Sequence, residues 1–170
     1  SDVYKRQEYR GLEIDGLYTM TDTVTMVASF GYVHSKYKNL ISDLTGDFII
    51  DALDYALEIP RAAPLTYSLG FNIDGNLGTW RSITRISYYH RDKSYYNENN
   101  QGFINEQDIL NFGYDIYSSD GKINIGIYGK NLSNEVKHGG DTNLSFGGTF
   151  APLAKGKIVG AELVYKFWSK

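Results

Sequence analysis

Leu65-Thr66-Tyr67-Ser68-Leu69-Gly70-Phe71-Asn72-Ile73-Asp74 changes character at every step. Leu65, Tyr67, Leu69, Phe71 and Ile73 are apolar or aromatic, and the residues between them are small or polar. Strand side chains point to opposite faces with a period of two, so this run reads as a strand with one apolar and one polar face. Downstream, Gly75-Asn76-Leu77-Gly78 supplies turn residues. From 79 to about 95 the pattern returns, with Trp80, Thr84, Ile86 and Tyr88 on one face and Arg81, Arg85, Ser87 and Arg91 on the other. After a polar loop at 97–105, Leu110, Phe112, Tyr114 and Ile116 mark a fifth strand, turned by Ser119-Asp120-Gly121. Ile123, Ile125 and Ile127 mark a sixth. A glycine-rich loop at 133–156 precedes the last, where Val159, Ala161, Leu163, Tyr165 and Phe167 alternate with Gly160, Glu162, Val164 and Lys166. Upstream, 38–63 loses the alternation and is acidic; its residues 48–57 can form a short helix, closed by Pro60 and Pro64. Before it, Leu12, Ile14, Tyr18 and Met20, then Val24, Met26, Ala28, Phe30 and Tyr32, predict two strands around a tight turn at Thr21-Asp22.

These runs predict an all-β chain: about seven antiparallel strands in an up-and-down meander. Its connections alternate short and long, so the tight turns gather at one end and the long loops at the other. Membrane β-barrels have that asymmetry, whereas β-sandwiches mix loop lengths and use crossing connections. About ten residues at ~3.3 Å each, tilted ~40°, project to ~25 Å, the height of a barrel's apolar band. Aromatic rings toward the strand ends (Tyr18, Tyr32, Tyr67, Trp80, Tyr88, Phe167) suit a membrane interface, where one side of the ring is wet. Charged residues in mid-strand on the opposite face suit a hydrated lumen and would be costly in a dry core. A mean hydropathy of -0.36 does not contradict this, because only every second strand residue meets lipid. The net charge of -3 argues against a general nucleic-acid binder, and the absence of cysteine excludes a disulfide framework or a cysteine-ligated metal.

Several stretches resemble the barrels of TonB-dependent outer-membrane receptors. Gly11-Leu12-Glu13-Ile14-Asp15-Gly16 resembles a strand opening common in that family. Ile59-Pro60-Arg61-Ala62-Ala63-Pro64-Leu65-Thr66 is similar to the re-entry of a long extracellular loop. Gly129-Lys130-Asn131-Leu132-Ser133-Asn134-Glu135 resembles the segment closing the penultimate strand. Gly148-Thr149-Phe150-Ala151-Pro152 and the run from Gly160 to Phe167 look like the last loop and last strand. The resemblance covers roughly residues 8–170 and implies a C-terminal portion of a 22-stranded transmembrane barrel. The plug domain and TonB-engaging segment would then lie outside this chain. Residues 1–7 show no alternation and are expected to be unstructured or extraneous. Gly160, Leu163, Tyr165 and Phe167 match the terminal-strand signal read by the outer-membrane insertion machinery, although Trp168-Ser169-Lys170 follow where an aromatic end is usual.

The resemblance implies active uptake of a scarce nutrient across the bacterial outer membrane. A ferric siderophore is the first choice, with cobalamin and glycans left open. Implied partners are outer-membrane lipid, the TonB complex, the insertion machinery and a small-molecule ligand such as a metal chelate. No enzyme activity, cofactor or nucleic acid is implied. Arg81, Arg85 and Arg91 share one expected lumen face, able to attract an anionic ligand or to contact a plug; charged lumen walls are also the ordinary condition. Tyr95, Tyr96 and Phe103 flank an Asn-rich loop and suit stacking on a sugar or catechol ring, or anchoring at an interface. Asp43, Asp47, Asp51 and Asp54 could hold calcium, but they lack EF-hand spacing, and a solvated acidic loop is the simpler expectation. His34, His90 and His138 are dispersed and suggest no metal or catalytic site. Gly139-Gly140 and Gly147-Gly148 lack the context of a phosphate loop. Two other functions share parts of this pattern: a passive outer-membrane channel or adhesin-type barrel, and a soluble carbohydrate-binding β-sandwich.

Overall fold

A computed structural model describes residues 5–137, 142–144, 148–150 and 153–167. Seven strands form one antiparallel sheet: β1 (Lys5–Thr21), β2 (Val24–Leu40), β3 (Leu65–Leu77), β4 (Trp80–Arg91), β7 (Gln107–Tyr117), β8 (Ile123–Lys130) and β11 (Ile158–Tyr165). Every neighbour in the sheet is the next of these strands along the chain, so the topology is a pure meander. Two small hairpins, β5 (Ser94–Tyr95) with β6 (Phe103–Ile104), and β9 (Thr142–Leu144) with β10 (Gly148–Phe150), lie within the second and third long connections. The first long connection holds one short helix, α1 (Ala52–Tyr55).

The register joins the alternating runs into two continuous faces. One row passes through Gly16, Ala28, Leu69, Tyr88 and Leu110; the next passes through Tyr18, Met26, Phe71, Ile86 and Phe112. The opposite face carries Thr19, Thr25, Asn72, Arg85, Gly113, Tyr128 and Gly160 in one row. Leu17, Val27, Ile83 and Ile109 share that second face, so its polarity is incomplete. No second sheet packs face to face on the seven strands among the described residues, which argues against the β-sandwich. The apolar face is open instead: Leu12 is 54% exposed, Ile14 56% and Leu163 70%. An uncovered apolar face of that extent calls for an apolar medium or partner.

Several boundaries differ from the sequence reading. β1 begins at Lys5, with Lys5 opposite Leu40 and Gln7 opposite Tyr37, so residues 5–7 belong to the sheet and not to an irregular leader. The expected turn at 75–78 is tighter: Gly75, Asn76 and Leu77 still pair with Ser82, Arg81 and Trp80, and only Gly78-Thr79 turn. Gly78 has φ +64, the left-handed conformation a two-residue hairpin loop requires and glycine adopts freely. β2 runs on to Leu40, and β4 stops at Arg91 instead of 95. α1 is four residues and not ten. Its capping box has Asp51 accepting from the Leu53 N–H while the Asp54 side chain accepts from the Asp51 N–H.

Candidate ligand site at the long-loop end

Residues 41–64 form a compact unit held by aspartates. Asp54 is fully buried, and its carboxylate accepts from the backbone N–H groups of Leu44 (2.7 Å), Thr45 (3.0 Å) and Asp51 (3.0 Å). These donors, Asp51 N–H first, outweigh the burial that opposes ionisation and hold its pKa down to about 2. Asp43 accepts from Gly46 N–H (2.8 Å) and Phe48 N–H (2.6 Å), and its pKa is also lowered, chiefly by Gly46. Asp47 and Asp51 accept from Ile49 and Leu53. The expected solvated acidic loop is thus a set of backbone staples, with carboxylate oxygens committed to N–H donors and not gathered around a cation. Below it, Tyr37, Leu40 and Ile59 form a small core, with Leu44 and Leu57 packed against it.

The first and second long loops are joined. Arg61 N–H donates to the Tyr95 carbonyl (2.7 Å), and the Asn100 amide brackets residue 58, accepting from its N–H (2.8 Å) and donating to its carbonyl (2.9 Å). Lys5 pairs with Glu98 across 93 positions of sequence. Between the two loops lies an open cleft of ≈ 560 Å³ bounded by Asp43, Arg61, Tyr96, Asn97 and Glu98, among others. The Arg61 guanidinium sits 4.8 Å above the Tyr96 ring. Arg61 has φ +62, a costly conformation for a long side chain, set between Pro60 and Pro64.

The aromatic residues singled out from sequence fall together at this end. Tyr95 and Phe103 face each other on the β5–β6 hairpin, and Lys93 Nζ lies 4.9 Å and 4.6 Å from their ring centroids. The two cations, Arg61 and Lys93, carried no signal in the sequence, because only the fold places them over the rings. Phe48, 96% exposed with φ +70 in the first long loop, was equally unmarked.

The three arginines share a face but not a site. They are four and six residues apart on β4, or ~13 Å and ~20 Å along the strand. Arg81 pairs with Asp74 (2.6 Å), Arg85 pairs with Asp115, and Arg91 donates to Ser94 Oγ (3.0 Å). Arg85 lines a hollow of ≈ 420 Å³ on the polar face with Ser87, Asn111, Tyr128 and Lys130. His90, on the apolar face, lies between Asp108 (2.7 Å) and Asp92 (3.0 Å) and stacks on Tyr67 at 4.7 Å. His34 stands apart on β2; His138, Gly139, Gly140 and Gly147 lie outside the described residues.

The segment from Asn131 to Glu135 gains a physical reason. Asn131, at φ +50, accepts from Glu135 N–H (2.9 Å) and donates to the carbonyls of Glu135 (3.0 Å) and Lys155 (2.8 Å), tying both legs of the third loop. Leu132 folds back over Gly129, where any Cβ would collide with it. On the terminal strand, Gly160 leaves the space that the Tyr128 ring occupies. Leu163 and Tyr165 continue the apolar face, and Phe167 meets Tyr165 edge-on at 4.9 Å. Trp168, Ser169 and Lys170 lie outside the described residues.

A one-sided sheet, meandering between tight turns and long interlocked loops, is the wall of a large β-barrel. Solved structures of three receptors share this fold. Over 97% of its length the chain superposes on the ferric yersiniabactin uptake receptor FyuA from Yersinia pestis, with a TM-score of 0.79 and 13% identity. It superposes over 95% on BauA, the ferric preacinetobactin receptor of Acinetobacter baumannii (TM-score 0.72, 15% identity), and on the siderophore receptor PiuA of the same organism (0.72, 16%). The chain spans 22–24% of the length of these receptors. No protein-family model and no curated protein matches its sequence.

Proposed function

We propose that this chain is wall and loop structure of an outer-membrane receptor that takes up an anionic metal chelate, a ferric siderophore, with energy delivered by TonB. The observation that carries the reading is the coincidence of a one-faced apolar sheet with interlocked long loops that set Arg61 over Tyr96 and Lys93 over Tyr95 and Phe103. All three structural neighbours are siderophore receptors at low identity, which supports the same direction. Under this reading the apolar face meets lipid, the Arg85 face borders the lumen, and the loops at residues 41–64, 92–106 and 131–157 face outward from the cell. Arg61, already poised over Tyr96, and Lys93, poised over Tyr95 and Phe103, would share their charge with an anionic aromatic ligand. Gly160, Leu163, Tyr165 and Phe167 would present the strand that the insertion machinery pairs with. The plug and TonB-engaging segments would be supplied by the remainder of the receptor.

The test is uptake of labelled ferric siderophores by cells carrying the intact receptor, with and without TonB. Energised, saturable uptake that stops without TonB is the expected result. Arg61→Ala should weaken ligand binding roughly tenfold, the loss of one charge contact to the anionic ligand of about 1.4 kcal/mol. Flux of the same solutes at equal rates without TonB would instead favour a passive channel.

A further inference from the structure

The outward, apolar face does not end where a hydrocarbon layer would. β1 and β2 are 17 residues each. A membrane strand needs only about 9–11 residues to cross. Counted from the tight turn, that length is used up near Leu12 and Tyr32, which oppose each other. On the same face, the next rung is Arg10 opposite His34, and the one after is Glu8 opposite Lys36. Each rung advances ~6.8 Å along the strand, or ~5 Å along the membrane normal at ~40° of tilt. These two rungs therefore fall ~5 and ~10 Å beyond the band, within a headgroup layer about 5–8 Å deep and at its outer surface.

On this hairpin the charge is unbalanced. The Glu8 carboxylate is shared by Arg10 (3.0 Å), Lys38 (3.1 Å) and Lys36 (3.7 Å). One acid thus faces three cations, and the Arg10 side chain remains 75% exposed. Beside it, where β3 has ended at Leu65, a hollow of ≈ 350 Å³ is bounded by His34, Lys36, Tyr55 and Glu58; Glu58 is the only carboxylate among its lining residues. Among the described residues of the seven-stranded sheet, this hairpin carries all the lysine and arginine of the outward face. Three cations directly above an apolar band complement a layer of lipid phosphates. Surface ion pairs alone contribute too little to stability to account for three cations around one acid.

We infer that Arg10, Lys36 and Lys38 form a docking surface for the phosphate groups of anionic lipid in the leaflet at the long-loop end. The inference rests on the reading that the apolar face meets lipid. Its test uses the intact receptor in phosphatidylcholine nanodiscs with and without phosphatidic acid, counting retained lipid by native mass spectrometry. Replacing Arg10, Lys36 and Lys38 together by glutamine should lower phosphatidic acid retention roughly tenfold or more. Glu8→Gln should raise it, although a purely structural cluster would be weakened by the same change. Excess inorganic phosphate should leave the lipid bound. Retention unchanged in the triple variant, or a lipid fully displaced by inorganic phosphate, overturns the docking surface. Failure of the receptor to enter any bilayer would instead remove the membrane reading itself, a separately visible result.

Discussion

Asp54 shows how a residue read as decoration can organise a loop. Its charged carboxylate replaces water with three backbone donors, so the loop at 41–64 is coupled to its ionisation. The folded pKa lies below the ordinary value of 3.8. The charged form therefore contributes stability that is complete above that value and is lost as the pH falls through about 2. Amide hydrogen exchange at Leu44 and Thr45 should accelerate across this window while the β3–β4 ladder stays protected, and Asp54→Asn should abolish the dependence. A flat profile at those two amides would contradict the coupling. Asn131 is the second such residue. Asn131→Ala removes the ties between the legs of the third loop and puts a Cβ-bearing residue with no local hydrogen bond at φ +50, at a cost of about 2–3 kcal/mol. Asn131→Gly should cost less, because the backbone penalty vanishes and only the hydrogen bonds are lost. Urea midpoints of the protein and its two variants would order them; an Ala variant as stable as the parent would refute the assignment. Neither role was legible in the sequence, where an aspartate in a polar loop looks like any other and the segment at Asn131 was recognised only by its likeness to a family pattern.

At the scale of elements, the strands were readable because period two is a local property of the chain, and register follows from alternation once one face must be apolar. The alternation alone thus places Leu69 and Phe71 on the face opposite Asn72, and the ladders do the same. Strand ends were less readable. β1 extends back to Lys5 because its partner β2 continues to Leu40, and pairing is a property of two segments and not of one. The β5–β6 and β9–β10 hairpins were missed for the same reason: segments of two or three residues have no period to show. The face assignment makes a sharp prediction. If, as proposed, the apolar face meets lipid, arginine at Leu69 or Phe71 should cost ~2–4 kcal/mol of barrel stability near the midplane, and arginine at Asn72 on the other face should be nearly neutral. Folding titrations of the three variants into lipid vesicles measure this. Equal penalties at Leu69 and Asn72 would mean that the two faces meet the same medium.

For the whole molecule, the count of strands decides what the sheet can do alone. An antiparallel meander alternates direction at each step, so seven strands leave the first and the last pointing the same way. Closing this sheet upon itself would force β1 and β11 into a parallel pair, between strands of 17 and 8 residues, with no crossover to support it. Among the described residues each of these two strands has a single neighbour in the sheet, leaving a row of backbone N–H and C=O groups unpaired. In hydrocarbon each such group costs several kcal/mol, so the open form is excluded from lipid as well. In water the edges and the uncovered apolar face both favour self-association. The 170-residue chain produced alone and transferred into detergent or vesicles should therefore give concentration-dependent oligomers, without the compact, heat-modifiable band of a closed barrel. A complete barrel that contains this sheet should give that band. Gel mobility before and after boiling, with sedimentation over a range of protein concentrations, distinguishes the two. A monodisperse, heat-modifiable monomer of the isolated chain would show that seven strands can close, and the assignment of this sheet to a larger barrel wall would have to be given up.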